Sequence, residues 1–187
     1  HYDHFQQVTD HSIEAISKWS EEGGDYDALD LPLLEAALSK LRLGKSVKDP
    51  ISGLEINASQ TVFFETPLGR SHSKTAQYID KLIWIDTPLD VALARNITDI
   101  INGFKESLKL GASSKKQTLE FLHWQAGYVA HYMSTVRELL LSQREKAFAN
   151  ADIILDGNLP LDKVSEQAIE LFGDIFDQII NLFNLNF

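Results

Sequence analysis

Cysteine is absent from all 187 residues. Its absence removes disulfides, thiolate zinc sites and cysteine nucleophiles together, and it agrees with a reducing compartment, so a cytoplasmic location is expected. No apolar run approaches the roughly 18 residues that a membrane helix needs, and the opening residues form neither a basic n-region nor an apolar h-region. A membrane partner is therefore not expected. Positive charge is also short: 17 Lys and Arg against 27 Asp and Glu leave a net charge of −10. A chain so acidic has no general attraction for nucleic acid or anionic lipid, although a local phosphate pocket needs only a few cations. The six histidines show no His-Glu-x-x-His or similar spacing, which argues against a zinc site. An initiator Met is lacking too. The chain opens His1-Tyr2-Asp3-His4-Phe5 and runs straight into helix-like sequence, as though a segment upstream were missing.

What is present suits one domain, 1–187, large enough to bury a core. Apolar residues make up 44% and charged residues 24%, ordinary values for a globular chain. Ile13, Ile16 and Trp19 line one face of a short helix that Thr9 or Asp10 can cap and Gly23-Gly24 stops. A second helix is predicted from Leu31 to Leu43, with Asp30 as N-cap, Pro32 in the first turn and Gly44 at the end. Asp49-Pro50 and Ser52-Gly53 are turn signals, with short strands around them.

Thr61-Val62-Phe63-Phe64 and Leu82-Ile83-Trp84-Ile85-Asp86 are continuous β-prone runs, the pattern of strands covered on both faces. A short crossover helix fits between Gly69 and Asp80. Pro88 opens a helix towards Ile101, Gly111 to Ser114 breaks the pattern, and Thr118 to Ala149 reads as one long helix kinked near Gly127. Ala151 to Gly157 is a third buried strand, and a closing helix follows from Leu161 to about Phe183. Strands alternating with helices imply an α/β sandwich built on a parallel sheet.

In open α/β sheets, ligands bind beyond the carboxyl ends of the strands. The first loaded end is Glu65-Thr66-Pro67-Leu68-Gly69-Arg70-Ser71-His72. A carboxylate there can help hold a hydrated magnesium ion, and Arg70 can reach an anionic group. The competing reading is a polar loop with a surface Glu–Arg pair. At the second end, Asp86-Thr87-Pro88-Leu89-Asp90, capping of the next helix by Thr87 or Asp90 is the favoured reading. Arg95 lies on that helix, where a lone arginine is usually solvated. Asp25, Asp27 and Asp30 surround Tyr26 but lack the Gly and Glu offsets of a calcium loop, so a helix cap and a hydroxyl-binding carboxylate fit them better. Gly44-Lys45-Ser46 mimics the tail of a phosphate-binding loop. Ser39 stands where its first glycine belongs, and helical sequence precedes it, so Gly44 reads as a helix C-cap.

Taken in order, four stretches resemble the uridine-kinase-like branch of P-loop nucleoside kinases, from just after the P-loop to the last helix. Asp3-His4-Phe5 is similar to the element carrying that family's catalytic aspartate. Asp27-Ala28-Leu29-Asp30, followed by Gly44-Lys45-Ser46-Val47 and Pro50, resembles its sugar-binding segment. Ile85 to Arg95 resembles the strand and helix that lead into the kinase lid, and Ala151-Asp152-Ile153-Ile154-Leu155 its late strand. The resemblance implies a three-layer P-loop NTPase-like sandwich without its first strand and P-loop, and a lid-like region at about 95–120. It implies ATP as phosphoryl donor, Mg2+ as cofactor and a nucleoside or other small-molecule hydroxyl as acceptor. Asp3 would be the general base and Glu65 the magnesium-orienting carboxylate. Tyr26, Asp27, Arg70 and His72 would hold the acceptor, and Arg95 the phosphate. The sequence departs from the family where Asn96-Ile97-Thr98-Asp99 follows Arg95, where Ile51-Ser52-Gly53 follows Pro50, and where Glu65 to His72 replaces a Glu-Gly turn. The rival reading is a binding or interaction domain without catalysis on the same scaffold. The apolar positions from Leu171 to Phe187 either dock on their own domain, the favoured reading, or make a homo-oligomer contact.

Overall fold

A computed structural model describes residues 2–5, 13–111 and 114–172. After a 3-10 turn at Tyr2–His4, helix α1 (Ile13–Glu21) ends where Gly23 and Gly24 take positive φ values of 103° and 58°. The Thr9 and Asp10 caps expected for α1 lie outside the described residues. Helix α2 (Pro32–Arg42) starts with Pro32, as its fixed φ favours. Its N-cap is Leu31 rather than Asp30 and makes no side-chain cap bond. The Leu31 side chain is drawn into the core at 1% exposure, so burial takes precedence over capping there. At the other end Gly44 (φ 73°) donates to Leu41 O and Lys45 donates to Lys40 O, the paired bonds of a Schellman motif.

Strands β1 (Val47–Lys48) and β2 (Glu55–Ile56) form an antiparallel hairpin around the Asp49 to Gly53 turn. The next expected strand does not form. Thr61 to Phe64 pairs with no strand among the described residues, and Val62 and Phe63 are 42% and 45% exposed. A β-prone run becomes a strand only where a neighbour receives its hydrogen bonds and side chains. Phe64 alone turns inward, onto a core of Tyr2, Tyr26, Leu31, Leu34, Leu38 and Leu68. A short helix α3 (Ser73–Ala76) follows, within the expected crossover.

Strands β3 (Ile83–Asp86) and β4 (Ile153–Asp156) pair in parallel, Ile83 with Ile153 through Asp86 with Asp156. The long connection between them holds α4 (Leu89–Lys109), α5 (Lys115–His131), a π-helical turn at Tyr132–Val136, and α6 (Arg137–Ala149). α4 has Pro88 as its N-cap residue and no side-chain cap bond, so neither Thr87 nor Asp90 performs the expected capping. α5 begins earlier than expected because Ser114 and Gln117 form a reciprocal capping box. The irregularity expected near Gly127 lies instead at the π turn, where Tyr132 is buried and its hydroxyl donates to Leu89 O.

Helix α7 (Leu161–Phe172) packs Val164, Ala168 and Ile169 on Ile83, Ile153 and Leu155. The chain is thus a mixed α/β structure with a small parallel sheet. Ile85 and Ile154 remain 54% and 45% exposed, so the described residues do not cover both sheet faces as a sandwich would. The remainder of the closing helix expected from the sequence, and the homo-oligomer reading of it, fall beyond the described residues. No helix among them is long and apolar enough to cross a membrane.

Gly157 closes β4, its amide donating to Asp86 O. A Cβ there would collide with Thr87 Oγ1 and would meet Ile85 Cγ2 at 2.9 Å and Thr87 Cβ at 3.0 Å. Gly157→Ala should therefore cost about 1–3 kcal/mol through overpacking. Urea denaturation tests this. A midpoint equal to that of the unchanged protein would show that the β3–β4 junction can relax.

Candidate functional site

The residues singled out in the sequence fall into two groups. The first gathers around the 3-10 turn at Tyr2–His4. Tyr2 N donates to Glu65 O at 3.2 Å, which brings the turn carrying Asp3 against the start of the 65–72 loop. Tyr2 is 5% exposed, and its phenol is pushed up to about 12, first by burial and then by the charge of Asp3 and the phenol of Tyr26. Asp3 and Glu65 are exposed at the surface.

Tyr26 lies in the core, edge-on to Trp19 at 5.3 Å, with the Lys146 ammonium 4.8 Å from its ring centroid. Burial raises the pKa of its phenol. Its packing makes Tyr26 a support for Asp27 more than a surface for a ligand. Asp25 accepts from Asp27 N at 3.0 Å and caps the 3-10 turn Tyr26–Ala28. That turn aims Asp27 at α3. Asp27 Oδ1 accepts from Ser73 N at 2.6 Å, and the Ser73 backbone and hydroxyl bonds hold its carboxyl below the usual aspartate range.

His72, the residue before Ser73, is wholly enclosed. Its Nδ1 lies 3.0 Å from Thr75 Oγ1, whose hydroxyl points at His72 O, 3.3 Å away. With the threonine proton so directed, Nδ1 is the donor and Nε2 is a bare acceptor. Nε2 is buried without a hydrogen-bond partner. Such an atom normally costs stability.

Arg70 has a different role. Its guanidinium donates to Asp152 Oδ2 at 2.6 Å and to the carbonyls of Asn150, Ile79 and Asp80 at 3.0, 3.4 and 3.3 Å. Asp152 also accepts from Leu82 N at 2.7 Å, and these bonds depress its pKa. Arg70 therefore ties the loop to the entrances of both parallel strands. The surface Glu–Arg pair considered from the sequence is replaced by an Arg70–Asp152 pair.

The second group lies at the carboxyl ends of β3 and β4. Asp86 receives Arg144 Nε and a terminal Arg144 nitrogen, both at 2.8 Å, together with Trp84 Nε1 at 3.1 Å. The Arg144 bonds dominate the lowering of its pKa. Arg95 donates to Gly157 O at 2.7 Å and to Leu159 O at 3.4 Å, bridging α4 to the loop after β4. Beside it, a shallow groove of about 500 Å³ is lined by Val91, Ala94, Arg95, Thr98 and Asp99, one face of α4. Further along, Phe104 of α4 stacks on Phe121 of α5 at 4.0 Å, and Trp124 and Tyr128 continue the stack along α5.

Several participants were not recognised in the sequence. Asp49, read only as a turn residue, accepts from Ile51 N, Ser52 N and His4 Nδ1, and the His4 bond is the main cause of its lowered pKa. Arg144 and Lys146 sit on a long helix with no local signal to mark them. The Asp152 partner of Arg70 is 82 positions away. For magnesium, no cluster of three or more His, Asp or Glu side chains stands ready among the described residues. The ion is ordinarily held through one or two carboxylates plus substrate phosphates and water. No protein-family model matches this sequence, and no curated protein matches it as a relative.

Two predictions follow from these geometries. His72→Leu removes the orphaned Nε2 while leaving Thr75 its bond to His72 O. Its stability should equal or exceed that of the unchanged protein, by up to about 1–3 kcal/mol. A loss of several kcal/mol on chemical denaturation would mean that Nε2 has a structural partner. The second concerns acid. Asp27, Asp49, Asp86 and Asp152 all have depressed folded-state pKa values, so their contribution is complete above the ordinary aspartate value near 4 and is lost as pH falls below it. Thermal midpoints should hold steady from pH 7 to about 5 and fall steeply below about 4. Asp152→Asn should flatten that fall; an unchanged acid limb would remove the Arg70 hub from the explanation.

Proposed function

We propose that the chain forms the acceptor- and magnesium-facing part of a uridine-kinase-like phosphotransferase domain, a three-layer P-loop NTPase-like sandwich acting in the cytoplasm. The reaction moves the γ-phosphoryl group of ATP to a hydroxyl of a nucleoside or other small molecule. The acceptor oxygen bonds to the γ-phosphorus, the bond to the β–γ bridging oxygen breaks, ADP leaves, and the hydroxyl proton passes to a carboxylate. Catalysis of this kind is mainly positioning and charge stabilisation.

The observation that carries the reading is convergence. The Tyr2–Glu65 and Asp27–Ser73 hydrogen bonds join the turn holding Asp3, the Tyr26–Asp27 turn and the Glu65 to Ser73 loop around one core. In this assignment Asp3 takes the proton. Glu65 orients Mg2+ through water, and the ion neutralises phosphate charge when bound. Asp27 accepts a hydrogen bond from an acceptor hydroxyl, Arg70 holds the loop that presents the site, and His72, fully enclosed, supports that loop from within and does not touch the acceptor. Arg95, in the lid-like region, faces phosphate oxygens from α4.

A second reading has its own support. Arg70, Arg95 and Arg144 all donate to carbonyls or carboxylates of the chain itself. Cations used in this way favour a binding domain without catalysis on the same scaffold.

Turnover of a nucleoside panel with Mg-ATP by the complete protein separates the two. Asp3→Asn should lower kcat by about 10²–10⁴-fold with little change in the thermal midpoint. Normal turnover by Asp3→Asn would remove the base assignment. Nucleoside binding without turnover in the unchanged protein would select the binding domain.

A further inference from the structure

Asp3 lies between two fastenings. On one side Tyr2 N donates to Glu65 O, and the Tyr2 ring is buried in the core. On the other, His4 Nδ1 is 2.7 Å from Asp49 Oδ2. The pair is more enclosed than ordinary surface residues: the Asp49 side chain is 8% exposed and that of His4 32%. Asp49 is itself fixed by Ile51 N at 2.9 Å and Ser52 N at 2.8 Å, while its own amide donates to Leu54 O at 2.8 Å. A carboxylate so placed is immobile and ionised, and it accepts hydrogen bonds only. The proton in the His4–Asp49 bond therefore belongs to Nδ1. The imidazole hands the rigidity of the β1–β2 hairpin to the three-residue turn, which Phe5 N to Tyr2 O closes from within.

We propose that His4 and Asp49 are a positioning pair for Asp3: the hairpin carboxylate, acting through His4 Nδ1–H, fixes the Tyr2–His4 turn and with it the direction in which the Asp3 carboxylate faces the acceptor hydroxyl. The proposal rests on the phosphotransferase reading for the role of Asp3, and on geometry alone for the fastening. It gives the Asp49 turn a function at the site, although Asp49 touches neither substrate nor the reacting atoms. A displacement of about 1 Å in a reacting group is enough to cost on the order of 10²-fold in rate, so a side chain that only fixes direction can matter nearly as much as the base.

The chemistry of the two ring nitrogens supplies the test. Asparagine places an amide nitrogen near the Nδ1 position, whereas glutamine places it near Nε2. His4→Asn should keep the bond to Asp49, and His4→Gln should lose it. Amide hydrogen exchange over residues 2–5 reads the fastening without any assay of activity. Exchange should rise at least about 10-fold in His4→Gln and in Asp49→Asn and stay near the unchanged protein in His4→Asn. With Mg-ATP and the best nucleoside of the panel, His4→Gln should lower kcat by about 10–100-fold at nearly constant KM. His4→Asn should recover most of that loss, with thermal midpoints alike in the two variants. Equal exchange in His4→Asn and His4→Gln would overturn the fastening. Faster exchange in His4→Gln with kcat unchanged would overturn the positioning role, leaving a merely structural clasp. Absence of turnover in the unchanged protein would instead defeat the phosphotransferase reading, and the exchange comparison would still decide whether the pair holds the turn.

Discussion

The Arg70–Asp152 ion pair is the constraint on which the rest of the described structure depends. A guanidinium offers five donors in a planar fork. Arg70 distributes them over Asp152 and the carbonyls of Ile79, Asp80 and Asn150, groups that flank the starts of β3 and β4. Asp152 returns the constraint by accepting Leu82 N, and Leu82 O receives the amides of Asp152 and Ile153. The two strands are therefore aligned before their ladder begins. Gly69 supplies the positive φ of 52° that the turn leading into Arg70 requires. A short parallel pair has little cooperative strength of its own. Outside bonds that set its register carry correspondingly more weight.

From that hub the loop runs both ways into the first group of candidate residues. Towards the N-terminal side it reaches Glu65, held through its carbonyl by Tyr2. Towards the other it reaches His72 and Ser73, held by the core and by Asp27. Three attachments over nine positions make 65–73 a preorganised element, not one that must fold around a ligand. Such rigidity suits chemistry in which positioning supplies most of the rate.

Much of this framework was legible in the sequence because its signals are local. The Gly23-Gly24 stop, Pro32 at the start of α2, the Gly44 cap and the β3 and β4 strands each depend on a few adjacent residues. The failures have a common physical origin in the tertiary environment. Thr61 to Phe64 has high strand propensity, but propensity cannot supply a neighbour. Asp30, Thr87 and Asp90 have the right chemistry for caps, yet burial of Leu31 and the Pro88 geometry leave those bonds unmade. The candidate site divides in the same way. Arg70 and His72 were visible as polar residues of a loop after a β-prone run, Asp27 as a loop carboxylate beside Tyr26 and Arg95 as a lone helical arginine, but their partners Asp152, Thr75, Ser73 and Gly157 were not. A partner many residues away leaves no periodic trace.

The arginines decide how the two functional readings differ in physical terms. Arg95 gives one terminal nitrogen to Gly157 O and the other to Leu159 O. Those bonds leave part of the five-donor fork for other acceptors. Engagement with main-chain carbonyls is therefore compatible with a phosphate role and restricts the rotamers of a long side chain, lowering the entropy lost on binding an anion. Arg144 differs, because its bidentate bond to Asp86 already satisfies both the charge and the planar geometry that a phosphate would use. Asp86 thus neutralises one cation at the strand ends while the carbonyls of Gly157 and Leu159 orient another without neutralising it. That distinction leaves Arg95, beside the exposed groove on α4, as the guanidinium with donors to spare: the phosphotransferase reading needs them for phosphate oxygens, whereas the binding-domain reading needs only its bonds to Gly157 O and Leu159 O.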